Sequence, residues 1–152
     1  MQLIQPDEQH LLEMMSWFST EHELKEWAGP NFRFPFTLAS FAEDLKLNQL
    51  RSFVLVSEGA EFLAFGQFYQ RLDKCHLGRL VVNPQFRGKG IAEQLMQRLC
   101  QLGLKELGLK HCSLFVLAHN EKAIKAYEKF GFVFAEYPDL IPLEHCLYMV
   151  KS

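Results

Sequence analysis

The sequence predicts one mixed α/β domain over residues 1–152, with a sheet of six to seven strands and helices on both faces. Three observations carry this. Two apolar runs meet at Glu58-Gly59 and read as a β-hairpin. Further along, short apolar runs alternate with two stretches of helical period, the order strand–helix–strand–helix–strand. The 152 residues are 49% hydrophobic and include 14 Phe, which suits one substantial core and argues against disorder.

Taken in order, Met1 to Gln5 suits a short strand, and Pro6-Asp7-Glu8 starts a helix with Leu11, Leu12, Met14, Met15 and Phe18 on its apolar side. The stretch from Ser19 to Phe36 is irregular, broken at Trp27-Ala-Gly-Pro30. Thr37 caps a helix to about Leu47, with Leu38, Phe41 and Leu45 at core spacing. Strands follow at Ser52 to Ser57, Glu61 to Gln70 and Cys75 to Val82, the last stopped by Pro84. A helix then runs from Gly88 to about residue 106, its stripe set by Ile91, Leu95, Leu99 and Leu102. His111 to Leu117 is a strand parallel to the one before that helix. Asn120 caps a helix through Phe130, with Gly131 as its C-cap, and Phe132 to Tyr137 and His145 to Val150 close the sheet.

Sixteen basic and eighteen acidic residues leave a formal net charge of −2, which offers no electrostatic case for nucleic acid or an anionic membrane surface. Cys75, Cys100, Cys112 and Cys146 have no metal-ligand spacing and read as reduced, small apolar residues. No signal peptide or membrane-spanning run is visible, so a cytoplasmic protein without a metal is expected.

The chemistry lies in Arg79-Leu-Val-Val-Asn-Pro-Gln-Phe-Arg-Gly-Lys-Gly-Ile-Ala92, a strand, a turn and the entry to a helix. Gly88 and Gly90 would each cost about 1 kcal/mol inside a helix, but at its entry they let the backbone approach a ligand closely. Arg87 and Lys89 add charge where unpaired N–H groups and the macrodipole already favour an anion, so a diphosphate fits. A dinucleotide fingerprint would need glycine at position 93, which is Glu; a Walker-type loop would need Ser or Thr where Gly90 stands. On the later helix Asn120, Ala123 and Tyr127 share one face, bringing together an amide, a small residue and a phenol.

Arg87-Gly-Lys-Gly-Ile-Ala92, followed by Asn120-Glu-Lys-Ala-Ile-Lys-Ala-Tyr-Glu-Lys-Phe-Gly-Phe132, closely resembles the GNAT superfamily of acyl-CoA-dependent N-acetyltransferases over roughly residues 50 to 150. The resemblance implies a mostly antiparallel sheet and acetyl-CoA as co-substrate. The family's Arg/Gln-x-x-Gly-x-Gly/Ala signature falls on Arg87, Gly90 and Ala92, so the amides of the loop Arg87, Gly88, Lys89, Gly90, Ile91, Ala92 would hold the pyrophosphate. Leu80, Val81 and Val82 would pair with the pantetheine arm. Asn120 would contact the cofactor beside Ala123, and Tyr127 would stand near the thioester sulfur.

In such enzymes the amine attacks the thioester directly in a ternary complex, which demands a base, donors for the oxyanion and a proton for the thiolate. Tyr127 suits the last role, since a phenol of reference pKa about 10 stays protonated at neutral pH. The strand from Lys74 to Val82 carries no acid. Counting back by twos from Val82 places Leu80, Gly78 and His76 on one face, which makes His76 a candidate base; a water chain or an acid among Glu21, Glu23 and Glu26 are the alternatives. The acceptor would be a primary amine on a small molecule, peptide N-terminus or lysine, selected by residues 21–36 and 140–145, and the protein a monomer or homodimer. Trp27, Phe32, Phe34 and Phe36 read as core or as the lining of an acceptor pocket. A catalytically silent acyl-CoA-binding regulatory module is the principal rival, and another nucleotide-phosphate binder the second.

Overall fold

In the computed structural model, which describes residues 1–152, a short strand β1 (Gln2–Ile4) leads into three helices: α1 (Glu8–Met15), α2 (Glu21–Ala28) and α3 (Leu38–Asp44). Three antiparallel strands follow, β2 (Arg51–Val56), β3 (Phe62–Arg71) and β4 (Lys74–Val82). Then come α4 (Ile91–Leu107), β5 (Cys112–Leu117), α5 (Glu121–Phe130), β6 (Val133–Phe134) and β7 (Cys146–Lys151). All seven strands join one sheet in the order β1-β2-β3-β4-β5-β7-β6, and only the β4–β5 pair is parallel. A mostly antiparallel mixed sheet with helices on both faces is the predicted class.

The two faces hold separate apolar clusters. On one, Leu95, Met96 and Leu99 of α4 meet Phe68, Leu77, Leu114 and Phe132, with Ile124 and Tyr127 of α5 packed at the margin. On the other, Leu11, Met14, Leu24 and Phe41 of α1–α3 meet Val54, Phe65 and Val81. Burying large side chains on both faces removes apolar area from water at roughly 25 cal/mol per Å², which is what fixes the helices to the sheet. The helix starts are locally encoded. His10 N–H donates to Asp7 at 3.0 Å and Ser40 N–H to Thr37 at 3.1 Å, each within a reciprocal capping box.

Several boundaries differ from the sequence reading, the helix after Thr37 ending at Asp44 among them. The irregular stretch contains α2, capped by Thr20; its one buried residue, Leu24, is too sparse a signal to show a period. The helix predicted from Gly88 starts at Ile91, because Gly88 and Gly90 take φ of 79° and 75°, outside the right-handed helix. The strand predicted over Phe132 to Tyr137 is only Val133–Phe134, because the chain then leaves the edge and Tyr137 turns in to pack on Phe115 and Tyr148.

Gly103 lies where α4 crosses β3 and β4 most closely. A Cβ there would overlap Cys75 Sγ and reach Phe68 at 3.2 Å. Gly103→Ala should therefore destabilise the fold by about 1–2 kcal/mol, although alanine at a free helix position would stabilise by about 1 kcal/mol. Urea unfolding of the two proteins checks this; a rise in stability would show that the crossing has slack.

Candidate active site

Strand β4 does not keep a constant alternation. Phe65 pairs with Val81 and Gln67 with Gly78, so Arg79 and Leu80 together oppose the single residue Gly66. This is a β-bulge, and Arg79 adopts φ 50° within it. The bulge is held from three sides. The Trp27 indole N–H donates to the Arg79 carbonyl at 2.9 Å. The Arg79 guanidinium donates to Gln67 Oε1 at 3.1 Å, and Gln67 in turn donates to the Leu45 carbonyl at 2.7 Å. Gly66 leaves room for Leu80, since a Cβ there would stand 2.8 Å from Leu80 and 2.6 Å from Leu99.

Beyond this point the sheet opens. β4 and β5 share register only at Cys75↔Cys112, His76↔Ser113 and Leu77↔Leu114. From Gly78 on, β4 has no partner on that side, so Leu80 to Val82 present backbone N–H and C=O groups to a gap. An unpaired strand edge accepts another extended chain.

The loop after β4 ends beside that gap. Asn83, with its amide donating to the Phe62 carbonyl at 2.9 Å, fixes the turn through Pro84–Phe86. Arg87, Gly88, Lys89 and Gly90 then run exposed to the start of α4. Gly90 is the N-cap and offers no side-chain acceptor, so the first-turn N–H groups, those of Ile91 and Ala92 included, face outward unpaired. No atom lies within 4 Å of a Cβ built on Gly88 or Gly90. A concave run of free donors with positive charge and open space above it fits a diphosphate.

On α5, Asn120 Oδ1 accepts from Ala123 N–H at 3.2 Å, which uses the amide oxygen as a cap and leaves its NH2 free. Tyr127 packs against the α4-side cluster one turn beyond Ala123 and edges onto Phe132, with ring centroids 6.2 Å apart. Burial pushes its phenol up to about 12, so it holds its proton at neutral pH. Its hydroxyl is not engaged by any protein group.

His76 is not where counting by twos places it. The extra residue in the bulge shifts the phase, so His76 and Gly78 share a face with Val81, while Leu80 and Val82 share one with Leu77 and Cys75. The His76 ring is 2% exposed and its Nδ1 lies 2.8 Å from Ser113 Oγ. Burial, and secondarily the Arg71 charge, lowers its pKa to about 3, so it is a weak proton acceptor. Among the three acids of α2, Glu21 pairs with Lys25 and Glu23 accepts from Ser19 and Thr20. Glu26 instead crosses to the loop after β5, 3.1 Å from His119 Nε2, with His22 at 3.1 Å on its other side. Sequence spacing carried no sign of the Trp27–Arg79 clamp or the Glu26–His119 bridge, whose members are 52 and 93 residues apart. Phe32 is core and Trp27 stacks on Phe18 at 4.6 Å, so the aromatic run serves chiefly to seat α2.

The chain is similar to known N-acetyltransferases. The chain resembles the uncharacterized N-acetyltransferase YdgE of Bacillus subtilis (strain 168), 45% identical over 47 residues, 31% of this chain and 29% of that protein. It resembles the glucosamine 6-phosphate N-acetyltransferase of Trypanosoma brucei brucei, 35% identical over 57 residues, 38% of this chain and 36% of the relative. The aligned stretches thus span about a third of these relatives' length. Spermidine N-acetyltransferase from Vibrio cholerae, in a crystal structure with CoA and spermine, shares the fold: TM-score 0.74 at 18% identity, covering 98% of this chain and 93% of that one. The model of the Acetyltransferase (GNAT) family matches residues 17–132, most of the chain, including the bulged strand, the glycine loop and α5. The chain belongs to the GNAT acetyltransferase family.

Proposed function

We propose that this protein moves an acetyl group from acetyl-CoA to a primary amine by direct attack in a ternary complex. One observation carries the reading: the loop of free donors at residues 87–92 follows directly on the β4 edge that β5 leaves unpaired; the unengaged Tyr127 hydroxyl, on α5, would then face the sulfur end of a cofactor held there. Amides of Gly88 to Ala92 would grip the pyrophosphate, with Arg87 and Lys89 adding charge. The β4 edge at Leu80 to Val82 would bond the pantetheine arm as an added strand. Asn120 and Ala123 would line its far side.

The thioester supplies an activated acyl group, and as the C–N bond forms the C–S bond breaks. Tyr127 gives its proton to the departing thiolate, a role that its raised pKa supports by keeping the phenol neutral. The amine's proton must leave on the opposite side. Glu26, which reaches His119 on the loop after β5 at 3.1 Å, suits that task better than His76, because it is open to solvent and His76 is buried. The names of the relatives and structural neighbours include a polycationic acceptor and one bearing a phosphate, so a primary amine is the common chemistry. The free Tyr127 hydroxyl favours an active enzyme over a silent acyl-CoA-binding module.

Tyr127→Phe should lower kcat by about 10²-fold or more with CoA affinity retained, in the range typical for loss of a general acid. A thiol-release assay beside calorimetric CoA titration separates the two, and unchanged turnover would remove the assigned role. Gly90→Val should weaken CoA binding about tenfold or more by filling the space over the loop; Gly90→Asn, which tolerates the positive φ, separates crowding from backbone strain. Unaltered affinity in both variants would move the diphosphate elsewhere. His76 has a folded pKa below its unfolded value, so its neutral burial contributes stability above about pH 6.5 that is lost as pH falls towards 3. His76→Asn should flatten that acid limb of the unfolding curve and leave the pH–rate profile between pH 6 and 9 unchanged. A displaced rate profile would restore His76 as the base.

A further inference from the structure

The helices α1–α3 cover the sheet face over β2, β3 and β4. Over β5 and β7 the same face carries an unusual polar cluster instead. Arg71, on β3, donates from Nη1 to the Tyr137 hydroxyl at 3.0 Å, and from Nε and Nη2 to the Tyr69 hydroxyl at 3.2 and 3.0 Å. Its guanidinium carbon stands 5.4 Å from the Tyr69 ring and 5.2 Å from the Phe115 ring. Tyr137 and Phe115 both pack on Tyr148, whose hydroxyl is buried with no partner at all.

The cluster has donors and almost no acceptors. Arg71 forms none of the molecule's ion pairs. Asp73, the nearest acid along the chain, is 2.9 Å from Lys74 and committed to it. A guanidinium has five N–H groups, and the only oxygens they meet are phenolic. Those phenols, having accepted from Arg71, keep their own O–H groups undirected. An arginine held partly out of water with spare donors, beside two phenolic hydroxyls, is complementary to an oxyanion.

The cluster borders the gap. Phe115 and Gly78 are the first residues past the last paired rung, Leu77↔Leu114, and Phe115 lies 4.6 Å from His76. Gly78 leaves this border low, since a Cβ there would still be 3.9 Å from Tyr69. We propose that Arg71, with Tyr69, Tyr137 and Tyr148, selects acceptor amines that also carry an oxyanion, a carboxylate or a phosphate; the proposal rests on the acetyltransferase reading. A polycationic amine would bring positive charge against the uncompensated guanidinium, whereas an anionic amine places its charge there and leaves its nitrogen for the gap.

The test compares alanine with alaninamide, and phosphoethanolamine with ethanolamine, beside spermidine, each as acceptor with acetyl-CoA. The wild-type protein should prefer at least one anionic member over its neutral partner by about tenfold in kcat/KM, the pair that does so identifying carboxylate or phosphate. Arg71→Met should abolish that preference through KM while leaving the neutral amine's rate unchanged. Arg71→Lys should recover part of it, since charge survives but the fork does not. Tyr137→Phe, which keeps the ring and removes one hydroxyl, should weaken the anionic amine about threefold to tenfold and guards against misfolding of the Arg71 variants. Equal use of both members of each pair, preference for spermidine, or equal losses on all acceptors in Arg71→Met would overturn the proposal. Tyrosine-ring NMR shifts on titrating the same amines into the CoA complex give a readout that needs no turnover. Shifts confined to alanine or phosphoethanolamine and lost in Arg71→Met, without acetyl transfer, would uphold the oxyanion site and defeat the acetyltransferase reading. No selective shift together with no transfer would defeat both.

Discussion

When Trp27 donates its indole N–H to the carbonyl of Arg79, it satisfies a group that the sheet has thrown out of its ladder. The residue in question sits in the left-handed region inside a bulge, and the bulge changes which side of β4 each later side chain faces. Leu80 and Val82 turn towards α4, Val81 turns towards α1–α3, and β4 parts from β5 three rungs after they meet. The bulge lies just past the last rung shared with β5, and the free strand edge and the glycine loop follow it along the chain. α2 therefore does more than cover the sheet: its indole closes the polar account of the bulge.

The same constraint explains why the two sides of the gap differ chemically. Towards α4, the free strand edge leads into exposed backbone donors with Arg87 and Lys89 among them. On the other side, Tyr69, His76, Phe115 and Tyr148 make a floor of rings, with Arg71 held among them. Burial acts in opposite ways on the two titratable rings near the gap. It pushes the Tyr127 phenol up to about 12 and the His76 imidazole down to about 3, favouring the neutral form of each. Glu26 and His119, by contrast, meet at the exposed surface.

Much of this was legible in the residues themselves, where the signal is local. Asp7, Thr37, Asn120 and Gly131 mark helix ends through contacts within a few residues of themselves. The glycine loop announces its dihedrals, and the face shared by Asn120, Ala123 and Tyr127 follows from helical spacing. α2 was hidden because a two-turn helix buries only Leu24, and the short β6 because pairing at an edge depends on where Tyr137 finds its contacts.

The sequence by itself determined the fold class, the family motif and the loop suited to a diphosphate, because each depends on neighbours along the chain. Only the tertiary structure decided the side of the sheet on which His76 lies, the pairing of Glu26 with His119, and the uncompensated charge of Arg71. A single bulged residue reverses strand alternation, and no count along one strand can register an insertion defined by its partner strand. Charge complementarity is likewise a property of surfaces assembled from distant segments. Arg71 and Tyr137 are separated by 66 residues and meet only because β6 ends early.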